Sequence, residues 1–453
     1  MINKSSFSVN SLRWMEKIIS KRFGCEFTLI EHRSKLLMKL SGSEFSIRLG
    51  PLQPSFHKST ISNLECFHWR ASKEGFNGPV NDLLYAPSET PLPDRIVEIY
   101  EEGAIVHYDI FGLIFWMMTR REETYRFDLD DHQRFPASSS HAYRYGYLER
   151  PIVDEWLNIL GQVIVRVWPS LELKEHKFKV QVSHDVDEPS KYAFKSVKGL
   201  ARIVGGELVR NKNYKAAILG PKVWLNSRSK IDPHDPVYTF DWLMDQSDKN
   251  GLISAFYFIC GRTDQEKDAL YDVEMPQIRT LMRHIHERGH EVGLHPSYNT
   301  YDNPNEIANE ANRLFRVCKE EGINQAEWGG RMHYLRWSSE ATPAAWESAG
   351  MNYDGTLGYA DRPGFRCGTC FEYPWFDVYE DKELSLIIRP LIAMDCTVIS
   401  ERYLALGSSE AAYKKFNDLK SNCFKVKGTF SLLWHNSFFK SKNDFDIYQR
   451  LLE

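Results

Sequence analysis

The chain has 453 residues, 42% hydrophobic and 26% charged, with 27 Gly and 20 Pro, proportions of a globular protein rather than a disordered or fibrous one. The length exceeds one ordinary core and implies two or three domains, while a net charge of −4 and a pI near 6.5 offer phosphate backbones no general attraction, so no nucleic-acid partner is expected. No run approaches the roughly 20 apolar residues that cross a bilayer, the first residues lack the apolar core of a signal peptide, and eight scattered cysteines suit a reduced compartment, so the expected location is the cytoplasm.

Residues 1–50 combine an amphipathic segment from Ser11 to Lys21 with alternating runs at Lys35–Leu40 and Phe45–Leu49, the pattern of an α+β module. A second helical pattern starts at Asp109, and the polar, aromatic stretch Asp128–Tyr147 reads as loop. Pro151 then opens a helix with apolar residues at Ile152, Trp156, Ile159, Leu160 and Val163, and Trp168-Pro169 ends it. The charged stretch Glu172–Lys177 marks a domain boundary, giving an accessory domain over 1–175 and a second domain over 176–453. From 178 onward strand-like runs at Val180–Val182, Ile253–Cys260 and Glu291–Leu294 alternate with helices at Phe240–Ser247 and Met275–Arg288. Such alternation predicts an α/β fold, a barrel or an open sheet, with its site at the strand C-termini. A basic helix-like run and the turn Asp232-Pro-His-Asp-Pro236 interrupt the pattern at about 194–236 and read as an insertion beside the site.

Val180-Gln-Val-Ser-His-Asp-Val-Asp187 is an apolar strand ending in two carboxylates two residues apart, which alternation aims at one face. A metal or a proton would justify their shared charge. Further candidates stand at other strand ends. His295 closes Glu291-Val-Gly-Leu, a close turn at Gly329-Gly330 delivers Arg331 and His333 together, and His435 follows Leu432-Leu-Trp. Each alone also suits a structural role, and their recurrence at strand ends is what points to a site. The Gly-rich stretch Tyr353–Arg366 carries Asp354 and Arg366 in a composition suited to gripping a polar or anionic ligand, and Tyr334 and Trp434 add flat aromatic faces near these positions. Cys367-Gly-Thr-Cys370 lacks a second ligand pair and a small βαβ context, so it reads as a loop with two free thiols.

The order Ser183-His-Asp185-Val-Asp187, Gly289-His-Glu-Val-Gly-Leu-His295, Arg331 and Leu433-Trp-His435 resembles the polysaccharide deacetylases of carbohydrate esterase family 4. It is more similar still to the divergent deacetylase-like proteins of O-antigen and surface-polysaccharide biosynthesis. Thr119–Glu123, His132–Pro136 and Pro151–Glu155 resemble the uncharacterised domain that often precedes that module. The resemblance implies a distorted (β/α) barrel of deacetylase type after a smaller α+β domain, with one divalent metal, zinc first among the first-row ions, activating water against an acetamide. By position it implies Asp185 as catalytic base, Arg331 as the residue orienting it, His435 as general acid, and Asp187 and His295 as metal ligands. The adjacent Asp-Asp of the family is here Asp-x-Asp, its second metal His is Asn299, and His333 replaces a Pro. Either His333 or Asn299 completes the metal set, and imidazole is the better ligand for such ions. The expected activity is hydrolysis of a C–N amide bond in an acetamido sugar, nucleotide- or lipid-linked. Two alternatives stay open: an Asp-x-Asp glycosyltransferase, which leaves His295 and His435 without a role, and a non-catalytic carbohydrate-binding relative.

Overall fold

Ser8 accepts a hydrogen bond from the Ser11 N–H and opens helix α1 (Val9–Phe23), which Gly24 ends in a left-handed conformation at φ 75°. The computed structural model describes residues 6–59, 64–209 and 212–453. The apolar stripe of α1, Trp14, Met15, Ile18, Ile19 and Phe23, is buried. Strands β1 (Phe27–His32) and β2 (Lys35–Leu40) pair antiparallel, and β3 (Ser46–Leu49) joins β2. A separate ribbon pairs β4 (Glu65–Arg70) with β5 (Leu83–Ser88), and β6 (Val97–Tyr100) with β7 (Gly103–Val106) completes a sheet in the order β1-β2-β3-β7-β6. Helix α2 (Ile110–Met118) is buried at every residue. The stretch 128–147 is not all loop: Ser140 caps a short helix, α3 (His141–Arg144). Helix α4 (Ile152–Val167) follows Pro151 and stops at Trp168.

The chain divides into two compact units, one of residues 1–179, 357–392 and 418–430 and the other of 180–356, 393–417 and 431–453. A single boundary at 175 does not describe this division, because the chain re-enters the first unit twice after crossing near Lys179. Membership of a unit is a property of contacts, and hydropathy along the chain does not carry it.

The second unit starts on β8 (Lys179–Val186), followed by α5 (Val197–Val209), α6 (Tyr214–Asn226) and α7 (Phe240–Lys249). Next come β9 (Ser254–Ile259), α8 (Pro276–Glu287), β10 (Glu291–His295), α9 (Pro304–Glu320), β11 (Gly329–Gly330), α10 (Thr342–Ser348) and β12 (Tyr353–Asp354). The first unit then receives an antiparallel hairpin, β13 (Tyr373–Asp377) and β14 (Lys382–Ile388). The chain returns through β15 (Ala393–Met394), α11 (Asp395–Ile399), α12 (Glu410–Lys425), β16 (Thr429–Leu433) and α13 (Lys442–Leu452). Strands of this unit lie in the order β12-β11-β10-β9-β8-β16-β15. The β8/β9, β9/β10, β10/β11, β11/β12 and β15/β16 pairs are parallel, so this is an α/β unit on a parallel sheet. Parallel strands send their C-terminal ends to one edge, where a site forms. The region expected as an insertion consists of α5 and α6, which pack around Tyr192, Leu200 and Val223; its residues 210 and 211 lie outside those described.

Gly329 and Gly330 are not a free turn but the strand β11 itself. A Cβ on Gly330 would stand 1.8 Å from the Leu294 carbonyl oxygen, and one on Gly329 would meet the Tyr353 ring at 2.2 Å. Only glycine lets these backbones close to ladder distance.

Candidate active site

Strand β8 runs on to Val186, so Asp185 lies within the strand and Asp187 is the first residue past it, on the same face as Ser183 and Asp185. His295 is likewise the last residue of β10 rather than one beyond it. Arg331 and His333 follow β11, His435 follows β16, and Asp395 follows β15.

Three groups converge on one point. Asp187 Oδ1 lies 3.3 Å from His295 Nε2 and 3.7 Å from His333 Nε2, and the three ligand atoms all lie within 4.8 Å of one another. Asp187 keeps 34% of its side chain exposed, yet its Oδ1 is buried and accepts no hydrogen bond. Each imidazole is held by its far nitrogen. His295 Nδ1 lies 2.6 Å from the Arg331 carbonyl oxygen, and His333 Nδ1 lies 3.0 Å from Asp268 Oδ1. With Nδ1–H donating outward, both Nε2 lone pairs turn toward Asp187, the arrangement that partner groups impose on metal-binding histidines. Donor atoms about 2.0–2.1 Å from a shared tetrahedral ion stand about 3.3 Å apart, so only small movements separate this trio from coordination. A carboxylate and two neutral imidazoles fit a divalent first-row cation and leave it a net positive charge.

Burial opposes the charge on Asp187, but the imidazoles of His333, His295 and His435 outweigh it and hold the carboxyl well below its ordinary range. His295 shows the reciprocal effect, burial lowering its pKa while Asp185 and Asp187 raise it by more. Tyr334 stands half-buried beside His333, its ring 4.8 Å from the imidazole, with a left-handed φ of 61°. Leu335 shares that region at φ 56°. Two consecutive residues held there are backbone strain immediately after a site histidine.

Asp185 is buried and fixed by Arg331, whose Nη1 donates to Oδ1 at 2.7 Å. The same guanidinium donates to Ser183 Oγ at 2.9 Å and to the Gly355 carbonyl oxygen at 2.9 Å. Asp185 Oδ2 is left facing His295 Nε2 at 3.7 Å. From another side, His435 Nε2 lies 3.7 Å from Asp187 Oδ2, while its Nδ1 lies 2.8 Å from Asp395 Oδ1. Burial pulls the His435 pKa down, but Asp395, Asp187 and Asp185 together push it up to about 10. The His435 Nε2 is thus held facing Asp187. Asp395, Cys396 and His435 also lie within 4.8 Å of one another, but there the carboxylate accepts both the backbone N–H and the Nδ1–H of His435. That carboxylate orients the imidazole.

Four other residues chosen from the sequence stand elsewhere. Asn299 is outside the trio: its Nδ2 donates to the Thr263 carbonyl oxygen at 3.2 Å, and its Oδ1 accepts from Arg336 at 3.0 Å. Asp354 is fully buried and accepts from the Thr356 N–H and Oγ1–H, which leaves it no face for a ligand. Arg366 is buried in the first unit, where it donates to both oxygens of Glu123 and to the Gly358 carbonyl oxygen. Trp434 is fully buried, its ring packed among Phe416, Phe439 and Tyr448. The composition of a Gly-rich loop or an aromatic strand does not reveal this burial. Conversely, nothing in the sequence marks Asp268 or Asp395, and Asp268 sits in the polar run Thr263–Asp268 like any solvated acid. Cys367 and Cys370 carry free thiols, both buried.

A cavity of about 250 Å³ opens beside Asp187, walled by Phe194, Lys195, Lys267, Asp268 and Tyr271. It falls below the range of about 300–1,000 Å³ that houses drug-sized ligands and suits one small ring. No helix among the described residues is long and apolar enough to cross a membrane.

Residues 2–169 match a family described only as a family of unknown function (DUF7033). Comparison with curated proteins gives no match. Among solved structures, the chain is similar to a protein of Mycobacterium smegmatis described as a polysaccharide deacetylase, at 14% identity and TM-score 0.39 over 62% of this chain and 84% of that one. It is similar to the Xyl-CE4 domain of a multidomain xylanase from the hindgut metagenome of Trinervitermes trinervoides, at 12% identity and TM-score 0.25 over 61% and 81%. A third similarity, to Puue allantoinase, has 11% identity and TM-score 0.34 over 61% and 83%. At these values the roles of residues in this chain rest on their own geometry.

Proposed function

We propose that this chain is a metal-dependent hydrolase of a C–N amide bond, a de-N-acetylase acting on an acetamido sugar in surface-polysaccharide biosynthesis, built on a distorted (β/α) barrel. The observation that carries the reading is the convergence of Asp187, His295 and His333 on one buried point flanked by Asp185 on one side and His435 on another. A divalent ion at that point, zinc by the softness of the donors, would polarise an amide carbonyl and acidify water.

The chain's own groups supply the rest. Asp185, oriented by Arg331, takes the proton of the attacking water on its Oδ2. His435, charged through its contact with Asp395, returns a proton to the departing amine nitrogen so that an amine and an acetate leave. Tyr334 lies beside His333 where a sugar ring can rest against it. Free cysteines throughout and the absence of a long apolar helix among the described residues suit a cytoplasmic nucleotide- or lipid-linked substrate.

The histidines favour this reading over an Asp-x-Asp glycosyltransferase, for which three imidazoles around Asp187 have no task. Acetate release from candidate acetamido sugars tests it. Release that stops on chelation, returns with a single added metal and is lost in Asp187→Ala is expected. Release indifferent to both treatments, or nucleotide-sugar transfer without acetate, overturns it.

A further inference from the structure

The two-helix insertion carries a surface that the hydrolase reading does not use. Between Lys191 and Lys230 the sequence has ten Lys and Arg and one acid, Glu207, in a chain whose net charge is −4. Glu207 is already taken by Lys191, 2.7 Å from its Nζ. Lys198, Arg202, Lys212, Lys215, Lys222 and Lys230 are exposed.

Helix α6 is apolar on two opposite faces. Ala216, Gly220 and Val223 are buried, spaced by four and three residues, and Val223 packs with Tyr192 and Leu200. On the other face, Tyr214, Ile218 and Leu225 recur at spacings of four and seven residues and are 71%, 76% and 55% exposed. No described residue covers them. Val197 and Val209, at the two ends of α5, are 68% and 81% exposed. An outer apolar stripe on a helix that already has a core face calls for a partner.

We infer that α5 and α6 dock the protein on an anionic lipid bilayer surface, the stripe of α6 entering the headgroup boundary and the surrounding lysines meeting lipid phosphates. An apolar stripe flanked by Lys is the pattern of an interfacial helix, and polybasic segments bind anionic leaflets. A second copy of this chain is disfavoured, because the two surfaces would bring like charges together, and nucleic acid has no use for Tyr214, Ile218 and Leu225. The insertion begins in the wall of the cavity beside Asp187, through Phe194 and Lys195. The inference stands independently of the hydrolase reading, since binding is measured without turnover.

Co-sedimentation of the full chain with vesicles of phosphatidylcholine plus phosphatidylglycerol, against phosphatidylcholine alone, tests it. Binding to the anionic vesicles only, weakened by salt, is expected, with about tenfold loss of partitioning in both Ile218→Glu/Leu225→Glu and Lys215→Glu/Lys222→Glu. All four positions are exposed, and circular dichroism with a metal titration checks that each variant keeps its fold. Failure to bind, equal binding to neutral vesicles, or binding unchanged in folded variants overturns the inference; failure to bind would leave the face to a protein partner.

Discussion

Asp395 grips His435 at two points: Nδ1 lies 2.8 Å from Oδ1, and the His435 backbone N–H donates to Oδ2 at 2.7 Å. The pair fixes the ring so that Nε2 faces Asp187 Oδ2 at 3.7 Å. Asp395→Asn keeps the shape but removes the charge that favours imidazolium, and hydrolysis is expected to fall about 10–100-fold. The deficit should shrink on a nitrophenyl ester substrate, whose nitrophenolate leaves without taking up a proton. An equal loss on both substrates would show that Asp395 serves only to hold the fold.

The far nitrogen of His333 contacts Asp268 at 3.0 Å, and Asp268 is itself held by the backbone N–H groups of Thr263, Asp264 and Tyr298, each at 2.8 Å. Asp268→Asn is therefore expected to weaken metal affinity about 10–100-fold. Asn299→Ala, whose side chain is turned to Thr263 and Arg336, should leave it unchanged. Competition titration with a chromogenic chelator reads both, and reversed results would return Asn299 to the ligand set.

Arg331 and Asp185 form a buried pair, and removing one partner strands the other. Arg331→Met is expected to cost about 3–5 kcal/mol in chemical denaturation of the metal-free protein. A double change, Arg331→Met with Asp185→Leu, should recover part of that loss, whereas an unaltered denaturation midpoint in the single variant would refute the pairing.

Glu310 on α9 accepts from the Ser297 Oγ–H at 2.5 Å and the Ser297 N–H at 3.0 Å. Burial, the largest cause, raises its pKa from 4.5 to about 7, and Asp268 adds to the rise. A raised folded pKa means that this group's stabilisation is complete below 4.5 and is lost as pH climbs through about 7. The loss is at most roughly 3 kcal/mol. Glu310→Gln should flatten stability over that window, and a variant as pH-sensitive as the parent would contradict the assignment.

The site was partly legible because its chemistry sits where strands stop. Asp185, Asp187, His295 and His435 each end an apolar run, and a parallel sheet brings such ends to one edge whatever the loops do. His333 could be read from the paired glycines before it, although their reason is ladder closure against Leu294 and Tyr353 rather than a turn. The orienting carboxylates could not be read, since Asp268 among Asp264, Glu266 and Lys267 differs from its neighbours only in burial. Burial also misled in the opposite direction at Asp354, Arg366 and Trp434, whose residue types suit a ligand but whose side chains are buried. The two later returns of the chain into the first unit depend on contacts far apart in sequence and leave no local mark.

A crystal structure of the protein grown or soaked with zinc tests the central claim most directly. One ion bound by Asp187 Oδ1, His295 Nε2 and His333 Nε2 at about 2.0–2.2 Å, with an open position toward Asp185, is the expected result. An ion held instead by Asp395, Cys396 and His435, or no ion within reach of Asp187, would contradict it.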